Sequence, residues 1–171
     1  MTDTAKVSNE SIAGKYLTFK LDGEEYGVEI LKVKEIIGLM NITKLPRTPE
    51  FVKGVINLRG KVIPVLDLRL KFGIEKKEYD EKTSIIVVEI ENKGNRSLIG
   101  VIVDSVSEVL NVLPEDVEST PKFGIDLDTS FILGMAKGNN TVRTMLDIDK
   151  VLVTDEIIQL IDSEVQTCKT L

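Results

Sequence analysis

The chain nearly repeats itself, and that limits its possible architecture more than any other feature. Residues 27–37 read Gly-Val-Glu-Ile-Leu-Lys-Val-Lys-Glu-Ile-Ile, and residues 100–110 read Gly-Val-Ile-Val-Asp-Ser-Val-Ser-Glu-Val-Leu. Without a gap, Gly27, Val28, Ile30, Val33, Glu35, Ile36 and Ile37 fall on Gly100, Val101, Val103, Val106, Glu108, Val109 and Leu110. A second pair of blocks follows in the same order. Phe51 and Gly54 lead to Leu66-Asp67-Leu68, and Phe131 and Gly134 lead to Leu146-Asp147-Ile148, with a step of 16 residues from Phe to Asp in both. Two ungapped matches in one order imply a structural unit used twice, hence two similar lobes and a seam between them. Clefts between packed units are favoured places for ligands and partners.

Within each unit the local pattern is that of short strands. Residues 16–21 alternate apolar and polar, the period of a half-buried strand. Asp22-Gly23 then predicts a hairpin, with residues 24–28 returning. Residues 30–34 have a mixed period and suit a short helical or irregular link, and residues 35–40 read as strand. Pro46 and Pro49 mark a loop. Arg59-Gly60 joins strands over 55–58 and 61–66, pairing Leu58 with Lys61, Asn57 with Val62, Ile56 with Ile63 and Val55 with Pro64. Both faces of this hairpin are largely apolar, which predicts burial on both sides. Asp67 suits a cap for a turn of helix over 68–72 ended by Gly73.

A charged stretch over 75–82 precedes strands at 84–90 and 97–103, joined through Lys93-Gly94-Asn95. Residues 106–113 read as strand, 114–130 as a long loop, and 131–137 with 141–148 as a hairpin turning at Gly138-Asn139-Asn140. A helix opens at Thr154 or Asp155, with Ile158, Ile161 and Val165 on one face and Ile157 beside them. About ten short strands in two repeated sets, with no helices alternating between them, predict a mainly β chain of two small β-barrels. A single β-sandwich is the alternative.

Composition narrows the function. The net charge of −6 disfavours a phosphate-backbone binder or an anionic-membrane binder. The longest apolar runs, such as Ile85-Ile86-Val87-Val88, are strand-sized, and the polar residues 1–14 contain no export signal core. Cys168 is the only cysteine, so no internal disulfide forms, as suits a reducing cytoplasm. There is no histidine at all, which removes Ser-His-Asp and Cys-His chemistry and the commonest metal ligand. No cofactor or metal site is expected. Asp126 and Asp128 lack the glycine and distal glutamate of a calcium loop.

A few polar residues stand out. Arg59 sits at the tip of an apolar hairpin, either as a solvated turn residue or as a recognition arginine able to fork onto a partner carboxylate. Asn57 shares a face with Val55, Val62 and Pro64 and needs a partner, within the lobe or on another protein. Glu35 and Glu108 match in the repeat, which suggests an acid/base pair; exposed strand carboxylates are the simpler reading. Asp67 and Asp147 also match, and capping the next turn explains both.

The stretch Phe51-Val52-Lys53-Gly54-Val55-Ile56-Asn57-Leu58-Arg59-Gly60, followed by Pro64-Val65-Leu66-Asp67-Leu68-Arg69, resembles the signature of the CheW chemotaxis coupling family. Val33-Lys34-Glu35-Ile36 and Ile99-Gly100-Val101-Ile102-Val103-Asp104 resemble its flanking strands. The resemblance runs over residues 15–165, between a lead-in at 1–14 and a tail at 166–171. It implies two five-stranded SH3-like lobes, the first over about 27–80 and the second over about 97–150, with strands exchanged at the ends. It implies a cytoplasmic adaptor without catalysis, recruited to membrane-associated arrays. Its partners would be the regulatory domain of the histidine kinase CheA and the cytoplasmic hairpin tip of methyl-accepting chemoreceptors. By the same resemblance Glu35, Asn57, Arg59 and Gly60 belong to the receptor- and kinase-facing surface, and Val33 and Gly54 to coupling positions. Val101 and Val103 would line an inter-lobe groove for a receptor helix. Rival readings are a small β-barrel nucleic-acid binder, a carboxylate-dependent enzyme at the seam, and a purely structural subunit.

Overall fold

The computed structural model describes residues 12–118, 130–138, 140–154 and 157. The lead-in over 1–11, most of the loop over 114–130 with Asp126 and Asp128, the helix face of Ile158, Ile161 and Val165, and Cys168 lie outside the described residues. The strands are β1 (Gly14–Leu21), β2 (Glu24–Glu29), β3 (Val33–Gly38), β4 (Val52–Leu58), β5 (Lys61–Asp67), β6 (Ser84–Asn92), β7 (Asn95–Val103), β8 (Ser105–Val112), β9 (Val117–Glu118), β10 (Ile132–Gly138) and β11 (Thr141–Leu146). Two short helices, α1 (Leu68–Lys71) and α2 (Ile148–Leu152), follow β5 and β11, and Ile30–Lys32 forms a 3-10 turn. The turns Asp22-Gly23, Arg59-Gly60 and Lys93-Gly94 each hold both central residues at positive φ. That geometry matches the twist of the flanking strands. The third hairpin therefore turns on two residues, with Asn95 already paired to Asn92.

The strands form two sheets that share the repeats between them. One has the order β3-β6-β7-β5-β4, the other β8-β1-β2-β11-β10-β9. The β1–β2 hairpin thus lies with β8–β11, and the β6–β7 hairpin lies with β3–β5. The matched blocks occupy matched places. β2 runs parallel to β11 with Gly27 beside Met145, and β7 runs parallel to β5 with Gly100 beside Val65. The 16-residue step from Phe to Asp closes one backbone bond in each repeat: Asp67 N–H donates to Phe51 O at 2.7 Å, and Asp147 N–H to Phe131 O at 2.8 Å. Each aspartate then caps a helix, Asp67 accepting from Arg69 N–H at 2.9 Å and Asp147 from Lys150 N–H at 3.3 Å.

Three apolar clusters hold the chain together. Ile56, Ile63, Val65, Ile85, Val87 and Ile102, with Ile37 against them, fill the five-stranded sheet. Because Ile37 on one edge strand and Ile56 on the other meet in one cluster, that sheet is rolled upon itself. Tyr16, Val112, Val117, Ala136 and Met145 fill the other sheet. The largest cluster lies between the two, with Phe19, Leu66, Ile86, Val101, Val103, Leu146 and Leu152 among its members. Two filled sheets and a filled seam exclude a single sandwich, which would have one core. The seam is also tied by charge. Arg69 of α1, nearly buried, donates to Asp104 at 2.6 Å and lies 3.7 Å from Asp22. Asp149 of α2 accepts from Lys32 at 2.7 Å and from Glu91 N–H at 3.2 Å. Each helix follows a strand of one sheet and bonds to the other.

Four expectations need correction. The second sheet has six strands, because β9 pairs with β10; the corresponding place in the first sheet holds only a bridge between Thr43 and Val55. β9 and the 3-10 turn Pro114–Asp116 also interrupt the expected loop. β11 stops at Leu146, because Asp147 caps α2 before the expected strand end at Ile148. The β4–β5 hairpin is buried on both sides only towards its base: Asn57 is exposed and Val62 is 52% exposed near the tip.

All three tyrosines sit where ionisation is disfavoured. Burial, then the Glu29 charge, pushes Tyr16 up to about 12. Burial, then Glu24 and Asp22, raises Tyr26; burial, then its hydrogen bond to Asp67, raises Tyr79. A raised phenol contributes stability that is whole below its unfolded value near 10 and is lost as pH climbs through the folded value. A phenolate absorbance titration of the folded protein should therefore run at higher pH than that of the unfolded chain, with Tyr16 and Tyr79 the last to ionise. Coincident titration curves for folded and unfolded protein would contradict this packing.

Candidate interaction site

The most distinctive polar arrangement on the surface starts from the β4–β5 turn. The register is the expected one, with Asn57 opposite Val62 and Leu58 opposite Lys61. Asn57 Oδ1 accepts from Gly60 N–H at 2.9 Å, so the amide's partner lies inside the turn. Gly60 takes φ +86, as such turns require, but Arg59 takes φ +50, a region that suits Asn or Gly better than a long side chain.

That conformation throws the Arg59 guanidinium across the mouth of the rolled sheet to Glu35 on β3, the opposite edge strand. Arg59 Nη1 donates to Glu35 Oε1 at 2.9 Å, and Nη2 bonds the second carboxylate oxygen. The two-pronged geometry is the strong form of this pair. The hydrogen bond from Arg59 holds the Glu35 carboxyl below its ordinary range and raises the guanidinium in return. The Arg59 side chain is 72% exposed, so the fork stands in water on its outer side. Exposed apolar side chains flank it in sequence: Ile36, Leu39 and Met40 after Glu35, and Val62 opposite Asn57.

Glu35, Asn57, Arg59 and Gly60 are therefore brought together. Val33 begins the same strand as Glu35 but is half-buried against the seam cluster. Gly54 is buried at a bulge of β4, where the Thr43 carbonyl leaves no room for a side chain. The largest departure concerns Val101 and Val103, each 1% exposed inside the seam cluster. They line no open groove. Alternate residues of β7 face different cores, Ile102 the five-stranded sheet and its two neighbours the seam, so all three are packed away. Glu108, the repeat partner of Glu35, lies on β8 of the other sheet. Its backbone, not its carboxylate, is engaged: the Thr18 hydroxyl donates to Glu108 O at 2.8 Å and accepts from its N–H at 3.1 Å, beside a bulge in β1. The two glutamates form no acid/base pair. The Glu35–Arg59 fork itself was missed by reasoning along the sequence, since a separation of 24 positions hides their proximity. Its only signal is a charged residue on each side of the rolled sheet.

Comparison with known proteins agrees with this geometry. A family model described as the CheW-like domain matches residues 15–156. The chemotaxis protein CheW of Klebsiella aerogenes is 38% identical over 157 residues, which cover 92% of each chain. The chemotaxis protein CheW of Bacillus subtilis is 32% identical over 139 residues, 81% of this chain and 86% of its relative. A crystal structure of the scaffolding protein TtCheW from Thermoanaerobacter tengcongensis is 38% identical and superimposes with a TM-score of 0.73, covering 84% of this chain and 95% of that one. The chain belongs to the CheW-like family and has the fold of a chemotaxis scaffold protein.

Proposed function

We propose that the chain is a non-catalytic adaptor that couples the cytoplasmic hairpin tip of methyl-accepting chemoreceptors to the regulatory domain of CheA. The observation that carries this reading is the Glu35–Arg59 fork. A solvent-facing bidentate pair is built from a turn position that local backbone energetics would give to asparagine or glycine, at a cost of about 1 kcal/mol. A local rule broken without a gain in core packing points to use by a partner. An arginine fork already aimed at one carboxylate has donors left for a second on an incoming protein.

Bridging needs two faces, and the repeat supplies them. Ile36, Met40 and Val62 are exposed on the first sheet; their counterparts Val109, Leu113 and Val142 are exposed on the second. Neither set finds a place in a core, and exposed apolar residues rimmed by charge mark interaction surfaces. Two modest contacts on one rigid body give avidity in an array without a tight pairwise affinity. Val33 and Gly54 act on this face through the backbone beneath it, and Val101 and Val103 by holding the seam. The absence of histidine and the separation of Glu35 from Glu108 agree with an adaptor that performs no chemistry.

Replacing residues 58–61 with a plain Asn-Gly hairpin turn keeps β4 and β5 paired but removes the fork. In a reconstituted array of receptor, kinase and this protein, that variant should lose receptor control of kinase autophosphorylation. Full retention of control by a folded variant would refute the assignment.

A further inference from the structure

The first half of the chain, β1 to α1, and the second half, β6 to α2, do not form separate sheets. In the five-stranded sheet the β6–β7 hairpin is inserted between β3 and the β4–β5 hairpin. In the six-stranded sheet the β1–β2 hairpin is inserted between β8 and the β10–β11 hairpin. β3 therefore pairs only with β6, and β8 only with β1, each a strand of the opposite half. The remaining joins, β5 to β7 and β2 to β11, also cross between halves. Alone, each half would keep little beyond hairpins and one unpaired strand, and a lone hairpin is marginal in water.

The side chains follow the same pattern. Ile56, Ile63 and Val65 of the first half complete one core with Ile85, Val87 and Ile102 of the second. Tyr16 completes another with Val112, Val117 and Met145. The ion pairs Lys32–Asp149, Lys34–Glu89, Arg69–Asp104 and Arg143–Glu25 all join one half to the other. Against these contacts stands one covalent link, residues 75–82, exposed throughout and outside any helix or strand. Two bonds fold it back onto the first half: the Tyr79 hydroxyl donates to Asp67 at 2.7 Å, and Glu75 O accepts from Arg69 Nε at 3.0 Å.

We propose that residues 75–82 are a hinge through which the chain interlocks with a second copy of itself, each copy supplying the half that the other needs. Every contact between halves is indifferent to which chain the second half belongs to. Only the link favours the half on the same chain, by an effective concentration on the order of millimolar for a short connection. Exchange of such elements is a low-cost route to a dimer. It requires both sheets to open, so the choice between monomer and dimer is made as the chain folds and is then held. Glu35 and Arg59 both lie in the first half, so each body of the interlocked pair keeps a complete fork. The dimer thus presents two such faces on one assembly.

The test uses the full-length chain with residues 76–82 exchanged, at equal length, for a site-specific protease sequence, in light and isotope-heavy forms. Circular dichroism and thermal unfolding establish that it is folded. Cleaving the monomer should leave the two pieces together in gel filtration until denaturant is added. Refolding the two forms together at about 1 mM should give on the order of half dimer, and refolding at about 1 μM only monomer. The dimer should survive dilution, and cleavage should convert it into monomer-sized bodies. Native mass spectrometry should find light first halves with heavy second halves in those bodies. A chain with residues 76–81 deleted, too short in the link to close on itself, should be dimeric at about 10 μM; the refolding experiment stands whether or not that chain folds. Pieces that part on cleavage of the monomer, or monomer alone after concentrated refolding, overturn the proposal. A dimer that dissociates on dilution or remains dimeric after cleavage is docked by its surface, and overturns it too.

Discussion

Gly54→Ala is expected to cost the protein a large share of its margin of stability. A Cβ at this position would lie 1.9 Å from the Thr43 carbonyl oxygen and 2.7 Å from its carbon. Neither atom is the free end of a side chain. Thr43 and Val55 exchange two backbone hydrogen bonds of 2.9 Å, so moving Thr43 away breaks the bridge on the outer side of β4. The φ of +141 adds strain for any residue with a Cβ. Overpacking and strain together amount to about 3–5 kcal/mol, a large share of the roughly 5–15 kcal/mol that holds a domain folded. A fall in melting temperature of about 10 °C or more follows. The repeat provides the control. At Gly134 the matching Cβ would meet the Glu118 carbonyl oxygen at 3.2 Å, with no left-handed φ to strain it. Gly134→Ala should therefore cost much less, and equal melting temperatures for the two variants would contradict the close-approach account. Coupling defects from changes at Gly54 then arise through β4 and the hairpin it carries, not through a surface contact.

Arg59→Glu is expected to leave the fold intact and remove partner binding. It replaces an attractive fork with two facing carboxylates on an exposed surface, which costs the monomer little. For a partner the change is larger: the donors disappear and the sign of the surface reverses, an effect on the order of 2–5 kcal/mol, or more than tenfold in affinity. The exchanged pair Glu35→Arg with Arg59→Glu separates two roles. If the pair only braces the mouth of the sheet, the exchange restores coupling. If the partner reads the arginine at the turn, the exchange stays defective, and that is the expected result. Unfolding of Arg59→Glu under native conditions would mean that the fork is structural.

The repeat carried the sequence reading far, because each matched pair reports one physical constraint. Phe51 with Asp67 and Phe131 with Asp147 close the same backbone bond. Gly27 and Gly100 each stand beside a parallel strand that presses close, Met145 of β11 in one case and Val65 of β5 in the other, where Ile85 of the antiparallel β6 crowds in as well. Turn residues and strand period located the hairpins and their register, since these depend on neighbours along the chain. Contacts made across the roll were not legible. Nothing near Arg59 in sequence names Glu35, and nothing near Arg69 names Asp104 or Asp22. The burial of Val101 and Val103 was hidden for a related reason. An apolar strand residue reads the same whether it lines a groove or a seam, and only the exchange of hairpins between the sheets decides which.

Calorimetric titration tests the central claim most directly, with the full-length protein as titrant, the isolated regulatory domain of a cognate CheA in the cell, and a receptor hairpin-tip fragment added second. Saturable binding to both is predicted, with each heat strongly reduced in Arg59→Glu. A folded wild-type protein that binds neither, or an Arg59→Glu variant that binds both as well as wild type, would contradict an adaptor working through the Glu35–Arg59 face.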